Sequence, residues 1–175
     1  GAGAVDKMTD IAVVGISQGM KLDDFDTLDF AYAPPFSTAI HPFVTTCYVL
    51  ENKIDGVLTS ISPAEYAAGA AKDYAVIVVQ PQQTVANAQW VNLSAVNGPI
   101  EGLDKDAKLL LVCTKGKRAY FLQNRLKAYG YTNTMVLEGG VFFNDVKAPR
   151  NGKKLSPAEI KRVKGLGCLQ DKRYD

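Results

Sequence analysis

The stretch "AKLLLVCTKGKRAYFLQNRLKAYGYTNTMVLEGG", residues 107–140, holds two apolar runs on either side of a helical pattern. Residues 107–112 and 133–140 are each typical of a buried strand, because they are short, apolar and bounded by turn-forming residues. Between them, apolar side chains recur at helical spacing over residues 117–129, and Gly130 can end the helix. This strand–helix–strand unit predicts two parallel strands joined by a crossover helix.

The preceding sequence adds elements of the same kind. Residues 74–80, "YAVIVVQ", are a β-branched run that predicts another buried strand, and residues 88–96 predict a weaker one. Before them, Ser62, Pro63 and Glu65 form the start signal of a helix with a capping box. The chain is therefore expected to have an α/β fold, with a parallel sheet flanked by helices.

Cys113 follows the apolar run at the carboxyl edge of the predicted sheet, where ligands bind in folds of this kind. The next five residues are Thr114, Lys115, Gly116, Lys117 and Arg118. Backbone N–H groups in this loop, the following helix N-terminus and the cations would all favour a thiolate, which is the nucleophilic form. A cysteine that ends an apolar strand is, taken alone, more often a packing residue. The glycine and three cations favour a nucleophile in an anion-binding loop.

The N-terminal third has a different pattern. Residues 4–19 predict a helix, and residues 42–54 predict a second one that begins at a proline and ends before Gly56. The second helix would bury Val44, Cys47, Leu50 and Ile54 on one face. The intervening residues form a polar turn and an extended segment with two adjacent prolines, which exclude regular structure there.

Composition and charge exclude several classes of protein. No uninterrupted apolar run is long enough for a membrane span, and no signal peptide is visible. Three widely spaced cysteines and a single histidine argue against a disulfide framework or a metal site, and for a reducing, cytoplasmic environment. Residues 146–175 carry nine basic and three acidic residues, without interleaved aromatics. We interpret this segment as a basic linker or tail rather than a nucleic-acid-binding surface.

Residues 60–145 resemble a rhodanese domain. The positions that carry the resemblance are Cys113, Gly116, Arg118, Leu126, Gly130, Tyr131, Leu137, Gly139 and Gly140. The resemblance implies a sulfurtransferase in which Cys113 carries sulfane sulfur as a persulfide. It also implies that the loop from Thr114 to Arg118 stabilises the persulfide, and that Lys115 and Lys117 attract small anionic donors such as thiosulfate or persulfides.

Two features separate this chain from neighbouring families and from the full rhodanese pattern. Arg118 is separated from Cys113 by four residues, whereas phosphatases of related architecture have five, which argues against phosphate-ester hydrolysis. The Asp-x-Arg and His-containing motifs of rhodaneses are replaced by "VVQPQQT" (78–84) and "ANAQWVNLSAV" (86–96). The alternative to a sulfurtransferase is therefore a non-catalytic rhodanese-like module for docking or dimerisation.

Residues 1–56 are similar to the C-terminal dimerisation segment of pyridine nucleotide-disulfide oxidoreductases, of the coenzyme A-disulfide reductase or NADH oxidase type. "LDFAYAPPFSTAIHP", residues 28–42, carries this resemblance. It implies a homodimeric full-length parent that uses FAD, NAD(P)H and coenzyme A, with Tyr32 approaching the partner subunit's active site. No glycine-rich dinucleotide fingerprint is present in this chain, so none of these cofactors is expected to bind to it alone.

Overall fold

The computed structural model describes residues 5–81, 83 and 85–147 of the 175-residue chain. The chain divides into two units, Gly1–Leu58 and Thr59–Asp175. Almost all of the predicted basic tail, residues 148–175, lies outside the described residues, as does Cys168.

The first unit contains α1 (Val5–Ser17), a 3₁₀ turn (Leu22–Thr27) and α2 (Pro42–Ile54). Both predicted helices are therefore confirmed. Nδ1 of His41 accepts a hydrogen bond from the N–H of Phe43 at 3.2 Å, so this histidine caps α2.

The buried face of α2 covers a shorter part of the helix than its sequence predicts. Val44 and Cys47 are buried, but Leu50 is 45% exposed and Ile54 75% exposed. The face is covered near the start of the helix, where the Phe43 ring meets Phe25 of the 3₁₀ turn at 5.0 Å between centroids. Apolar spacing identified the correct helix, but it could not show how far along the helix the neighbouring elements reach.

The second unit contains a five-stranded parallel sheet. Its strands are β1 (Ser60–Ile61), β2 (Ala75–Val78), β3 (Gln89–Trp90), β4 (Leu109–Val112) and β5 (Thr134–Leu137), in the order β1-β5-β4-β2-β3. The helices are α3 (Pro63–Ala67), α4 (Lys117–Ala128) and α5 (Gly140–Phe143). The predicted α/β fold with a parallel sheet is confirmed.

The central strand explains why the quoted stretch decides the fold. All four residues of β4 are fully buried, and β4 pairs with β2 on one side and β5 on the other. A strand covered on both faces has to be apolar throughout, which is the pattern of "LLLV". The predicted strand over 88–96 is shorter in the structure, because Asn92 caps a 3₁₀ turn at Leu93–Ala95.

A buried glutamine attaches the edge strand β1 to the rest of the sheet. Gln123 of α4 has no solvent exposure. Its side-chain oxygen accepts from the N–H of Thr59 at 3.1 Å, and its Nε2 donates to the carbonyls of Thr59 at 2.9 Å and Thr134 at 3.0 Å. The amide thus supplies hydrogen bonds where the chain enters β1, which the sequence did not reveal.

Candidate active site

Cys113 follows β4 directly, and its side chain lies at the base of the loop that leads into α4. The residue is 2% exposed, and the N–H of Gly116 donates to its Sγ at 3.1 Å. Gly116 is also the residue before α4, with φ of 118°. Residues other than glycine rarely adopt this backbone conformation. Gly116 therefore allows the chain to turn around the sulfur before the helix begins.

Helix α5 holds the start of this loop from one side. The N–H of Val141 donates to the carbonyl of Cys113, and the N–H of Phe142 to the carbonyl of Thr114, each at 3.0 Å. In a trans peptide the C=O and the following N–H point in opposite directions. The N–H groups of Thr114 and Lys115 are therefore directed away from α5.

Gly140 allows α5 to approach the loop this closely. Its φ is 49°, and a Cβ at this position would overlap the carbonyl oxygen of Cys113 and lie 2.7 Å from the carbonyl carbon and oxygen of Thr114. The sequence predicts only that the Gly139–Gly140 pair closes a strand and matches the rhodanese pattern. The pair itself was the available signal, since two adjacent glycines often mark a close backbone approach.

Strand β2 contributes a polar side chain on the other side. Gln80, two residues after the end of β2, is 8% exposed, and its Oε1 accepts from the hydroxyl of Thr114 at 3.3 Å. Its backbone carbonyl accepts from the indole N–H of Trp90 at 2.7 Å. Gln80 was not among the predicted site residues.

Three residues of this loop are cations, and two of them lie over aromatic rings. Lys115, Lys117 and Arg118 are exposed. Nζ of Lys115 lies 5.3 Å from the ring centre of Phe142, and Nζ of Lys117 lies 5.8 Å from that of Phe121. These are cation–π distances, so each ammonium is held over a ring while remaining accessible to an anion.

Comparison with known proteins identifies the family of the second unit. The model of the rhodanese-like domain family matches residues 58–142. These residues are a rhodanese-like domain. A comparison with curated proteins finds no match.

Two solved structures resemble the chain over most of its length. One is an NAD-dependent persulfide reductase from A. fulgidus, with 29% identity and a TM-score of 0.71 over 82% of this chain. The other, the reduced CoADR-RHD of Bacillus anthracis, shares 23% identity and has a TM-score of 0.68 over 79% of this chain, which shows a common fold. The chain spans 26% of the length of each of these proteins.

The motif positions outside the loop form the core of the rhodanese-like domain. Leu126 and Leu137 are fully buried, and Gly130 ends the turn after α4 with φ of 88°. Tyr131 is 1% exposed, and its hydroxyl accepts from the N–H of Ile100 at 2.9 Å. These residues place β4 and β5 side by side, and so place Cys113 next to α5.

The remaining predicted residue, Tyr32, belongs to the first unit. It is 55% exposed and lies in a cleft with Phe30, His41 and Tyr48. The loop residues 113–118 are brought together within the rhodanese-like domain, whereas Tyr32 is not part of that domain.

The other described cysteine differs from Cys113 in its surroundings. Cys47 is buried in α2, and burial raises the pKa of its thiol, with smaller contributions from the charges of Asp26 and Glu51. Cys47 and Cys113 are both free thiols. Among the described residues no group of histidine, cysteine or acidic side chains could hold a metal ion. None of the helices in this part of the chain is long and apolar enough to cross a membrane.

Proposed function

We propose that the rhodanese-like domain is a sulfurtransferase in which Cys113 carries sulfane sulfur as a persulfide. The observation that carries the proposal is the position of the Cys113 sulfur, which lies within 3.1 Å of the Gly116 N–H at the carboxyl edge of the sheet. An N–H that donates to sulfur favours negative charge there, and both a thiolate and a persulfide carry that charge.

The reaction has two displacement steps. The Cys113 thiolate attacks the sulfane sulfur of thiosulfate, a new S–S bond forms, and the old S–S bond breaks as sulfite leaves with its electron pair. With an organic persulfide as donor, the leaving group is the corresponding thiolate. An acceptor thiolate then attacks the outer sulfur of the Cys113 persulfide, which regenerates the Cys113 thiolate and releases the acceptor as a persulfide.

Lys115 and Lys117 would attract the anionic donor. Both are exposed beside the loop and held over aromatic rings. A cluster of cations raises the local concentration of small anions and their rate of association. Arg118 adds a further positive charge in the first turn of α4.

The second candidate is a non-catalytic docking module. The observation that favours it is the sequence of β2 and the residues after it, where valines and Gln80 replace the Asp-x-Arg motif of the rhodanese pattern. A phosphatase remains disfavoured, because only four residues separate Cys113 from Arg118.

We further propose that the chain is the C-terminal part of a larger cytoplasmic, homodimeric flavoprotein. Its parent would reduce coenzyme A persulfides or disulfides, or polysulfide, with NAD(P)H and FAD. The likeness to the A. fulgidus persulfide reductase, which extends beyond the rhodanese-like domain, supports this proposal. The described residues do not contain a glycine-rich strand–turn–helix unit for a dinucleotide, so these cofactors would bind in other parts of the parent.

The test is mass spectrometry of the protein after incubation with thiosulfate or coenzyme A persulfide. We expect a gain of one sulfur mass on the peptide that contains Cys113. The control variants are Cys113→Ser, which should gain no sulfur, and Cys47→Ser, which should still gain it.

Alkylation at near-neutral pH separates the two candidates. We expect Cys113 to react much faster than Cys47, because burial raises the pKa of Cys47 and so leaves little thiolate there. No sulfur gain with either donor, together with equal alkylation rates, would favour the docking module.

A further inference from the structure

Gln80 is a buried polar residue at the end of an otherwise apolar run. The preceding residues 76–79 are all valine or isoleucine and all buried. Burying an amide is costly unless it forms hydrogen bonds. Gln80 forms one through its Oε1, which accepts from the Thr114 hydroxyl at 3.3 Å.

The backbone places Gln80 beside the nucleophile loop. Val78 pairs with Val112 in the parallel ladder, and the N–H of Val79 donates to the carbonyl of Val112 at 2.8 Å. If this register continues past the strand ends, Val79 lies opposite Cys113 and Gln80 lies opposite Thr114. The bond from the Trp90 indole to the Gln80 carbonyl fixes this position from the neighbouring strand β3.

Thr114 is thus held from two sides. From α5, the N–H of Phe142 binds its carbonyl, and from β2, Gln80 binds its hydroxyl. A residue whose backbone and side chain are both anchored has little freedom to rotate. Its two peptide planes then set the direction of the loop N–H groups that follow Cys113.

We propose that Gln80 is a positioning residue for Cys113, which acts by fixing the Thr114 hydroxyl. This inference rests on the proposed function, because the position matters most when the loop must receive a second sulfur atom. Gln80 acts through Thr114 and not by contact with the reacting sulfur. Gln80 lies within "VVQPQQT", the stretch that stands here in place of the Asp-x-Arg motif of the rhodanese pattern.

The test is a double-mutant cycle with Gln80→Met and Thr114→Val, measured on the full chain. Methionine keeps the length of the side chain and removes the acceptor, while the backbone bond to Trp90 is retained. Two rate constants are measured at Cys113, one for sulfur loading from thiosulfate and one for alkylation by iodoacetamide. Urea unfolding followed by Trp90 fluorescence checks that each variant is folded.

We expect each single variant to lower both rate constants by roughly threefold to tenfold, the range for loss of one uncharged hydrogen bond. The double variant should be no slower than the slower single variant, because both changes remove the same bond. In a Thr114→Ser background, which keeps the hydroxyl, Gln80→Met should still slow the reaction.

Two results would overturn the inference. One is a double variant whose effect is the product of the two single effects, and the other is a Gln80→Met protein that reacts at the wild-type rate. If wild-type Cys113 gains no sulfur, the proposed function fails, and the alkylation cycle alone then decides whether Gln80 positions the thiol.

Discussion

Gly140→Ala tests whether the close approach of α5 to the Cys113 loop determines the geometry of the site. The new Cβ would overlap the carbonyl oxygen of Cys113, so the loop and α5 must move apart. The atoms that this Cβ would meet, in Cys113 and Thr114, belong to the backbone, so they cannot rotate away as a flexible side chain would. The two hydrogen bonds from Val141 and Phe142 to the loop carbonyls would then be lengthened or lost.

The expected loss of stability follows from these terms. Placing alanine at φ of 49° costs about 1 kcal/mol. Loss of two backbone hydrogen bonds adds about 1 kcal/mol for each. The free energy of unfolding should therefore fall by about 3 kcal/mol, a large part of the 5–15 kcal/mol typical of a domain.

The chain provides its own fluorescent probe and a matched control. Trp90, the only tryptophan, lies in β3, so its fluorescence during urea unfolding reports on the second unit. Gly130→Ala introduces the same residue at φ of 88°, where the nearest atom to the new Cβ is Lys105 Nζ at 3.6 Å. It should cost only the conformational term, about 1 kcal/mol.

Sulfur loading gives a second measurement on the same variants. Displacement of the loop in Gly140→Ala should lower the rate constant for loading by roughly tenfold or more, while Gly130→Ala should leave it near the wild-type value. If Gly140→Ala is no less stable than Gly130→Ala and loads sulfur equally fast, the close approach does not constrain the loop and the reasoning is wrong.

Three further predictions concern the rhodanese-like domain, two in its buried core and one in the Cys113 loop. Gln123→Met leaves the N–H of Thr59 without its partner and should lower the free energy of unfolding by about 2 kcal/mol in the same urea assay. Thr134→Val removes a buried hydroxyl that has no hydrogen-bond partner among the described residues, and should raise that free energy by up to about 1 kcal/mol. Lys115→Gln and Lys117→Gln should each slow alkylation of the active-site thiol by anionic iodoacetate roughly twofold to threefold, with less effect on neutral iodoacetamide.

The controls for these variants are internal to each assay. Gln123 and Thr134 are hydrogen-bonded to each other, yet Gln123→Met should lower the free energy of unfolding and Thr134→Val should raise it. A lower free energy of unfolding in both variants would show that packing rather than hydrogen bonding decides the outcome. For the lysine variants, added salt should remove the extra slowing, relative to the wild type, that is seen with iodoacetate and not with iodoacetamide. Equal slowing of both reagents would mean that the lysines shape the loop instead of attracting anions.

The sequence predicted most of the fold because its strongest signals are local. The structure has strands at the apolar runs before Cys113 and before Gly139, and the predicted helix lies between them. It also has the capping box of Ser62 and Glu65. Edge elements were predicted less well. Strand β1 has only two residues, Ser60–Ile61, which is too short for a periodic pattern that would predict a strand.

The candidate nucleophile could likewise be identified before the structure, because Cys113, Gly116 and the cations are adjacent in the chain. The groups that hold the loop could not. Gln80 is 34 residues from Thr114 along the chain. The groups that α5 contributes are backbone N–H groups, which almost every residue type has, so the sequence does not mark them. Only pairing of β2, β4 and β5 brings these groups to one edge of the sheet.

The sequence by itself therefore determined the order of the central strands and longer helices, the family and the thiol with its charged loop. These depend on periodicity, on turn-forming residues and on contiguous chemistry. The tertiary structure decided which residues surround that thiol, where α5 approaches it, and that Gln123 fastens the edge strand to the sheet. Those contacts join residues that are far apart in the chain, so their geometry exists only once the parallel strands have paired.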